Sequence, residues 1–134
     1  MGGASIESLH LHSNHLCFRL AEKYQAAVSY YYAPAIADSP QQKQELMNSS
    51  FIKQAHKKAL EVDLALVSIG NPAQSSTYKQ LGVVSAEDEK DLLEKEVIGD
   101  ALATFYDQDG QAVETSLSQR MVGISLEELE MMNE

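Results

Sequence analysis

The sequence predicts an α/β domain: a mostly parallel sheet with helices on both faces and one β-hairpin. Three observations carry that expectation. Leu64 to Ile69 ("LALVSI") is an almost purely apolar run that stops at Gly70 and Pro72, the pattern of a strand buried on both faces. Ala26 to Tyr32 ("AAVSYYY") is β-branched and aromatic and ends at Ala33-Pro34-Ala35. Segments with helical periodicity and capping signals lie between and after these strands, and strands alternating with helices build a parallel-type sheet.

The elements follow in order. After Met1-Gly2-Gly3-Ala4-Ser5, the stretch Leu9-His10-Leu11-His12 alternates like a short extended piece. Ser13 or Asn14 caps a helix to about Tyr24 that places Leu16, Cys17, Leu20, Ala21 and Tyr24 on one face. Asp38-Ser39-Pro40 opens a short helix from Pro40 to Met47. Ser49 or Ser50 starts another, with Phe51, Ile52, Ala55, Ala59 and Leu60 on one side. Beyond the Leu64–Ile69 strand, Ser85-Ala86-Glu87-Asp88 is a capping-box-like start for a helix to about Lys95, with Leu92 and Leu93 facing inward. Ala101 to Tyr106 alternates like a strand, Asp107-Gln108-Asp109-Gly110 turns, and Ala112 to Thr115 pairs back as a hairpin. Ser125-Leu126-Glu127-Glu128 is a capping box for a last helix running to Glu134.

The totals narrow the function. The 134 residues suffice for one domain with a core, and the net charge of -10 argues against unaided DNA or RNA binding. Cys17 is the sole cysteine, excludes an internal disulfide and reads as a packed core thiol. No apolar stretch approaches a transmembrane length and no secretory signal opens the chain, so the expected compartment is the cytoplasm.

Ligands of open α/β sheets bind beyond the carboxyl ends of the strands. Gly70 to Thr77 lies there, and so does Ala33 to Ser39. A glycine after the strand admits close approach to the backbone, and Asn71, Gln74, Ser75, Ser76 and Thr77 offer neutral donors and acceptors suited to sugar hydroxyls or phosphate oxygens. The same residues also fit a plain turn followed by a Ser/Thr helix cap. His10, His12 and His15 would need to converge with a fourth ligand to hold a metal, and neither a metal nor another cofactor is expected. The acidic run "EDEKDLLEKE" reads as a solvated helix face, with Glu87–Asp91 repulsion relieved by Lys90 and Lys95. In "YYY", Tyr31 points opposite to Tyr30 and Tyr32.

Several motifs resemble the effector-binding domain of SorC-type bacterial transcriptional regulators, a group that includes the sorbitol/sorbose and deoxyribonucleoside regulators. They are "DLALVSIG" at Asp63 to Gly70, "SST" at Ser75 to Thr77, "VVSAEDE", "VIGDALATFYDQDG", and "RMVGISLEEL" at Arg120 to Leu129. "GGASIESLHLHSNHLCFRLAEKY" and "YYYAPAIADSP" match the earlier part of that domain, whereas Ser68 stands where the family often has glycine. The resemblance implies a Rossmann-like three-layer α/β/α sandwich of the sugar-phosphate isomerase and deaminase group. It implies a phosphorylated sugar as allosteric effector, bound without turnover, and a homo-oligomer. DNA would be reached only through a separate helix-turn-helix, which this chain lacks.

By position, the resemblance assigns Gly2, Gly3, Ala4 and Ser5 to a first phosphate-contacting loop and Gly70, Asn71, Ser75 and Ser76 to a second. Gly99 and Asp100 form a third edge, and Arg120 is a further candidate. It also implies that residues 1–134 are a partial sugar-binding domain, with its C-terminal part missing. An isomerase- or deaminase-like enzyme is the alternative, as is an oligomerisation module. Against the enzyme, Asn71 to Thr77 contains no His, Asp or Glu to move a proton.

Overall fold

The computed structural model describes residues 13–72 and 84–131. Among the described residues, five helices and four short strands follow in the order α1 (Ser13–Tyr24), α2 (Pro40–Asn48), α3 (Ser50–Leu60), β1 (Ile69–Gly70), α4 (Ala86–Glu94), β2 (Gly99–Ala101), β3 (Thr104–Tyr106), β4 (Ala112–Val113) and α5 (Leu126–Glu130).

Local chemistry sets the helix ends. Ser39 caps α2 by accepting from the Gln42 N–H at 3.1 Å, with Pro40 in the first turn. Ser49 serves two helices: its N–H closes α2 on the Leu46 carbonyl, and its hydroxyl accepts from the Ile52 N–H at the start of α3. Ser85 with Asp88 and Ser125 with Glu128 form complete capping boxes on α4 and α5. At the far ends of α1 and α4 the chain leaves through a Schellman turn. Gln25 and Glu96 adopt left-handed φ values of 51° and 53°. The N–H groups of Ala26 and Val97 reach back to the carbonyls of Ala21 and Leu92.

The sheet order is β1-β2-β3-β4, and every pairing is antiparallel: Gly70 opposite Asp100, Gly99 opposite Tyr106, and Phe105 opposite Val113. The α/β class expected from the sequence is therefore present, but the expected mostly parallel sheet is not among the described pairings. The reason lies in which residues find partners. Of the Leu64–Ile69 run, only Ile69 enters a ladder, and residues 64–68 lie exposed outside any helix or strand. Residues 26–32 likewise belong to no strand and have no strand partner among the described residues. What remains is an antiparallel sheet in which short turns join β2 to β3 and β3 to β4, while the longer stretch carrying α4 links β1 to β2.

The expected single strand from Ala101 to Tyr106 is two strands. Leu102 takes a left-handed φ of 55° and reverses the chain between Ala101 and Thr104, which pair with each other. The hairpin into β4 matches the expectation. The Asp107 carboxylate accepts from the N–H groups of Asp109 and Gln111, and Gly110 supplies the positive φ.

Two apolar clusters form the core. Leu92, Val97, Phe105, Leu117 and Met121 make one; Ala33, Ala37, Ile52 and Val122 make the other. Residues 35–37 and 120–122 run side by side between them, through Ala37 N–H to the Arg120 carbonyl and Val122 N–H to the Ala35 carbonyl, both 2.8 Å. Not every residue expected inside is there. Cys17 is exposed, and no residue of α1 is buried, so the thiol is not a core residue. Leu93 and Phe51 also face outward, while Leu92 and Ile52 beside them are buried. The acidic run is not purely solvated either, since Asp88 is buried.

Candidate functional site

The strand end at Gly70 is positioned by its neighbour β2. The Schellman exit of α4 places Val97 against Leu92 in the core, and the Ile98 N–H then donates to the Tyr106 carbonyl at 3.0 Å. This launches the chain into β2, whose three residues are all buried. Asp100 pairs with Gly70, and a Cβ at Gly70 would land on Asp100 Oδ1. The missing side chain is what lets the carboxylate lie against the β1 backbone. Gly99 is small for a similar reason, because the Tyr106 ring crosses it. Neither glycine has a positive φ. Asn71 follows half-buried and Pro72 is buried.

Four of the expected site residues, Gly70, Asn71, Gly99 and Asp100, thus meet on one two-strand edge. Gly2, Gly3, Ala4, Ser5, Ser75 and Ser76 lie outside the described residues, as do His10 and His12. Arg120 is engaged elsewhere. Its Nη2 donates to Asp88 Oδ1 at 2.6 Å, which also accepts from the Ser116 hydroxyl at 2.9 Å, while Asp88 Oδ2 accepts from the Ser85 N–H and hydroxyl. Burial acts to raise the Asp88 carboxyl, but the Arg120 and serine hydrogen bonds outweigh it and hold the pKa down to about 2. The Ser116 N–H at 2.6 Å, with Lys95 beside it, also lowers Asp91 below its usual value. Arg120 in this arrangement staples the 114–121 turn to α4.

A second titratable cluster joins three elements. Tyr31 turns away from Tyr30 and Tyr32, whose rings lie 5.4 Å apart, and its hydroxyl meets His56 Nδ1 at 3.2 Å and Met47 Sδ at 3.3 Å. His56 Nε2 meets Glu128 Oε1 at 2.8 Å. Burial tends to raise Glu128, and the Ser125 N–H together with His56 overcomes it, so the carboxyl sits below its ordinary value. Burial, reinforced by Glu128, pushes the Tyr31 hydroxyl up. A groove of about 400 Å³ opens beside His56, lined also by Met47, Lys53, Lys57, Leu60 and Glu61. None of the residues expected from the sequence lines it. The sequence reading missed His56 and the partner of Glu128. The signals were a histidine next to Ala55 on the apolar side of α3, and a capping-box glutamate with a second oxygen to share.

A family model described as "Putative sugar-binding domain" matches residues 1–134. The chain belongs to this sugar-binding domain family. Among the family's relatives, the sorbitol operon regulator of Klebsiella pneumoniae is 30% identical over 131 residues, which are 96% of this chain and 41% of the regulator. The deoxyribonucleoside regulator of Bacillus subtilis is 25% identical over 128 residues, again 96% of this chain and 41% of the relative. A solved DeoR family transcriptional regulator from Listeria monocytogenes superimposes with a TM-score of 0.83 at 33% identity, covering 91% of this chain and 49% of that one. The sugar-binding domain described here therefore spans less than half of the length of these three proteins. Its α/β fold is theirs, and these relatives are bacterial transcriptional regulators. Among the described residues no helix is long and apolar enough to cross a membrane.

Proposed function

We propose that this sugar-binding domain holds a phosphorylated sugar as an allosteric effector and releases it unchanged. The observation that carries the reading is the Gly70–Asp100 contact. A buried carboxylate lies against a strand end after which the sequence continues through the neutral Asn71, Gln74, Ser75, Ser76 and Thr77. The carboxylate accepts from sugar hydroxyls, and N–H and O–H donors of the loop take the phosphate oxygens. Gly2, Gly3, Ala4 and Ser5 would supply a further phosphate-contacting loop, with Gly99 shaping the β2 edge. Arg120, committed to Asp88, would act on the shape of the site rather than on the ligand. In a whole regulator the effector would favour one arrangement of a separate DNA-binding segment by binding it more tightly, in a cytoplasmic homo-oligomer.

Thermal-shift titration with sugar phosphates tests this. Because of the relatives' names, a sorbitol phosphate and a deoxyribose phosphate head the panel, with the unphosphorylated compounds beside them. A phosphorylated member should raise the melting temperature, and Asp100→Asn and Ser75→Ala/Ser76→Ala should each abolish the rise. Equal shifts in variants and parent would remove this edge from the binding site.

The same carboxylate favours a second reading, an isomerase- or deaminase-like enzyme. Although Asn71 to Thr77 include no acid or base, Asp100 supplies one beside Gly70. Solvent-deuterium exchange into the bound sugar phosphate, followed by NMR, separates the two: a sensor leaves the carbon-bound protons in place, and an enzyme washes them out.

A further inference from the structure

The groove beside His56 shares no residue with the Gly70–Asp100 edge, and its chemistry is different. Met47 and Leu60 supply a thioether and a branched alkyl group, and no hydroxyl or amide side chain lines it. His56 adds surface and no spare donor, because Tyr31 and Glu128 hold its two ring nitrogens. A sugar needs paired donors and acceptors around its ring, which this floor does not offer.

The rim is charged. Helix α3 has three of the chain's ten lysines and arginines and no acidic residue, although the whole chain carries a net charge of -10. Lys53 and Lys57 stand four residues apart on it, a spacing at which like charges repel. Lys57 reaches Glu61 at 3.7 Å, whereas Lys53 has no ion-pair partner among the described residues. Two ammonium groups against one carboxylate leave this rim one positive charge to be balanced.

We propose that the groove binds an amphiphilic monoanion: one carboxylate on an unbranched alkyl body, with the alkyl chain on Met47 and Leu60 and the carboxylate beside Lys53 and Lys57. Its volume of about 400 Å³ is that of a small-molecule pocket. The Met47 thioether adapts to a flexible chain, and the lysine stems extend the apolar wall while their ammonium groups stay in water. A single charge is favoured because Glu61 repels a second. A second copy of this chain, docking through its acidic α4, fits less well. A cavity of this size seats an alkyl chain and not the side of a helix, and two chains of net charge -10 repel each other.

Octanoate is the probe, with 1-octanol and octylammonium as its uncharged and cationic counterparts. Amide NMR shifts should saturate with octanoate and centre on Met47, Lys53, His56, Lys57, Leu60 and Glu61. Octanol should bind about threefold to tenfold more weakly, and octylammonium more weakly still. Lys53→Gln with Lys57→Gln should bring octanoate down to the octanol level, whereas Glu61→Gln should tighten it. These side chains are exposed, so the melting temperature without ligand should not move; if the double variant does melt early, Glu61→Gln alone decides. Octanol binding as tightly as octanoate overturns the proposal. So do absent saturation, shifts centred on other residues, and an octanoate affinity indifferent to these charges. A doubled mass by light scattering, with the groove amides already protected, would make a second copy the occupant and overturns it too. No arm contains a sugar phosphate, so a failed effector screen leaves the outcome unaffected.

Discussion

At Gly70 the absence of one methyl group decides whether Asp100 keeps its place. Gly70→Ala should destabilise by about 1–3 kcal/mol, the range for overpacking a filled site. Gly70→Ala combined with Asp100→Gly should recover part of that loss in a double-mutant cycle read by urea unfolding. Asp88 shows the opposite kind of sensitivity. Its four hydrogen bonds leave none of its oxygens idle, so Asp88→Asn strands the partly buried Arg120 guanidinium and should cost about 3 kcal/mol or more. Exchanging the pair for Asp88→Leu and Arg120→Met should cost less than the single change, because no charge is then left alone.

The helices differ in how readily the sequence reveals them. The starts of α2, α3, α4 and α5 were legible because a serine and its hydrogen-bonding partner sit at fixed offsets, a local pattern that needs no tertiary partner. The ends of α1 and α4 fall where the sequence puts them, near Tyr24 and Lys95, but the left-handed turns that close them were not legible, because Gln25 and Glu96 occupy positions where glycine is the usual residue. Glu96 is exposed, so Glu96→Gly should raise stability by about 0.5–1 kcal/mol, measured as a higher melting temperature. The apolar stripe of α1 and the Leu64–Ile69 run were legible as surfaces that seek burial, yet sequence periodicity says nothing about what does the burying. For the same reason Gly70, Gly99 and Asp100 could be singled out from the sequence, whereas the contact between Gly70 and Asp100 follows from strand register, which a single sequence does not encode locally. His56 escaped notice because its partners lie 25 and 72 residues away.

Across the whole molecule the shifted groups define a stability window in pH. Asp88, Asp91 and Glu128 all have folded values below their ordinary ones, so their contribution is present above the unfolded values and is lost as pH falls through the folded ones. For Asp88 the loss runs from about pH 4 to about pH 2 and amounts to about 2 kcal/mol. Tyr31, raised by burial, contributes below pH 10 and loses that contribution as pH climbs through its folded value. Circular-dichroism melts across this range should show a plateau between the two limbs, and Asp88→Asn should flatten the acid limb.

The seam between residues 35–37 and 120–122 has a temporal consequence. Ala33, Ala37 and Ile52 share their cluster with Val122, and Lys43 reaches the Ser118 carbonyl from 75 positions away. On a ribosome, the first half of this chain emerges long before the strip that completes its interior. Newly made protein must therefore wait, greasy side outward, until residues 118–122 have been made, and chaperone occupancy of the nascent chain should persist until that strip has left the ribosome.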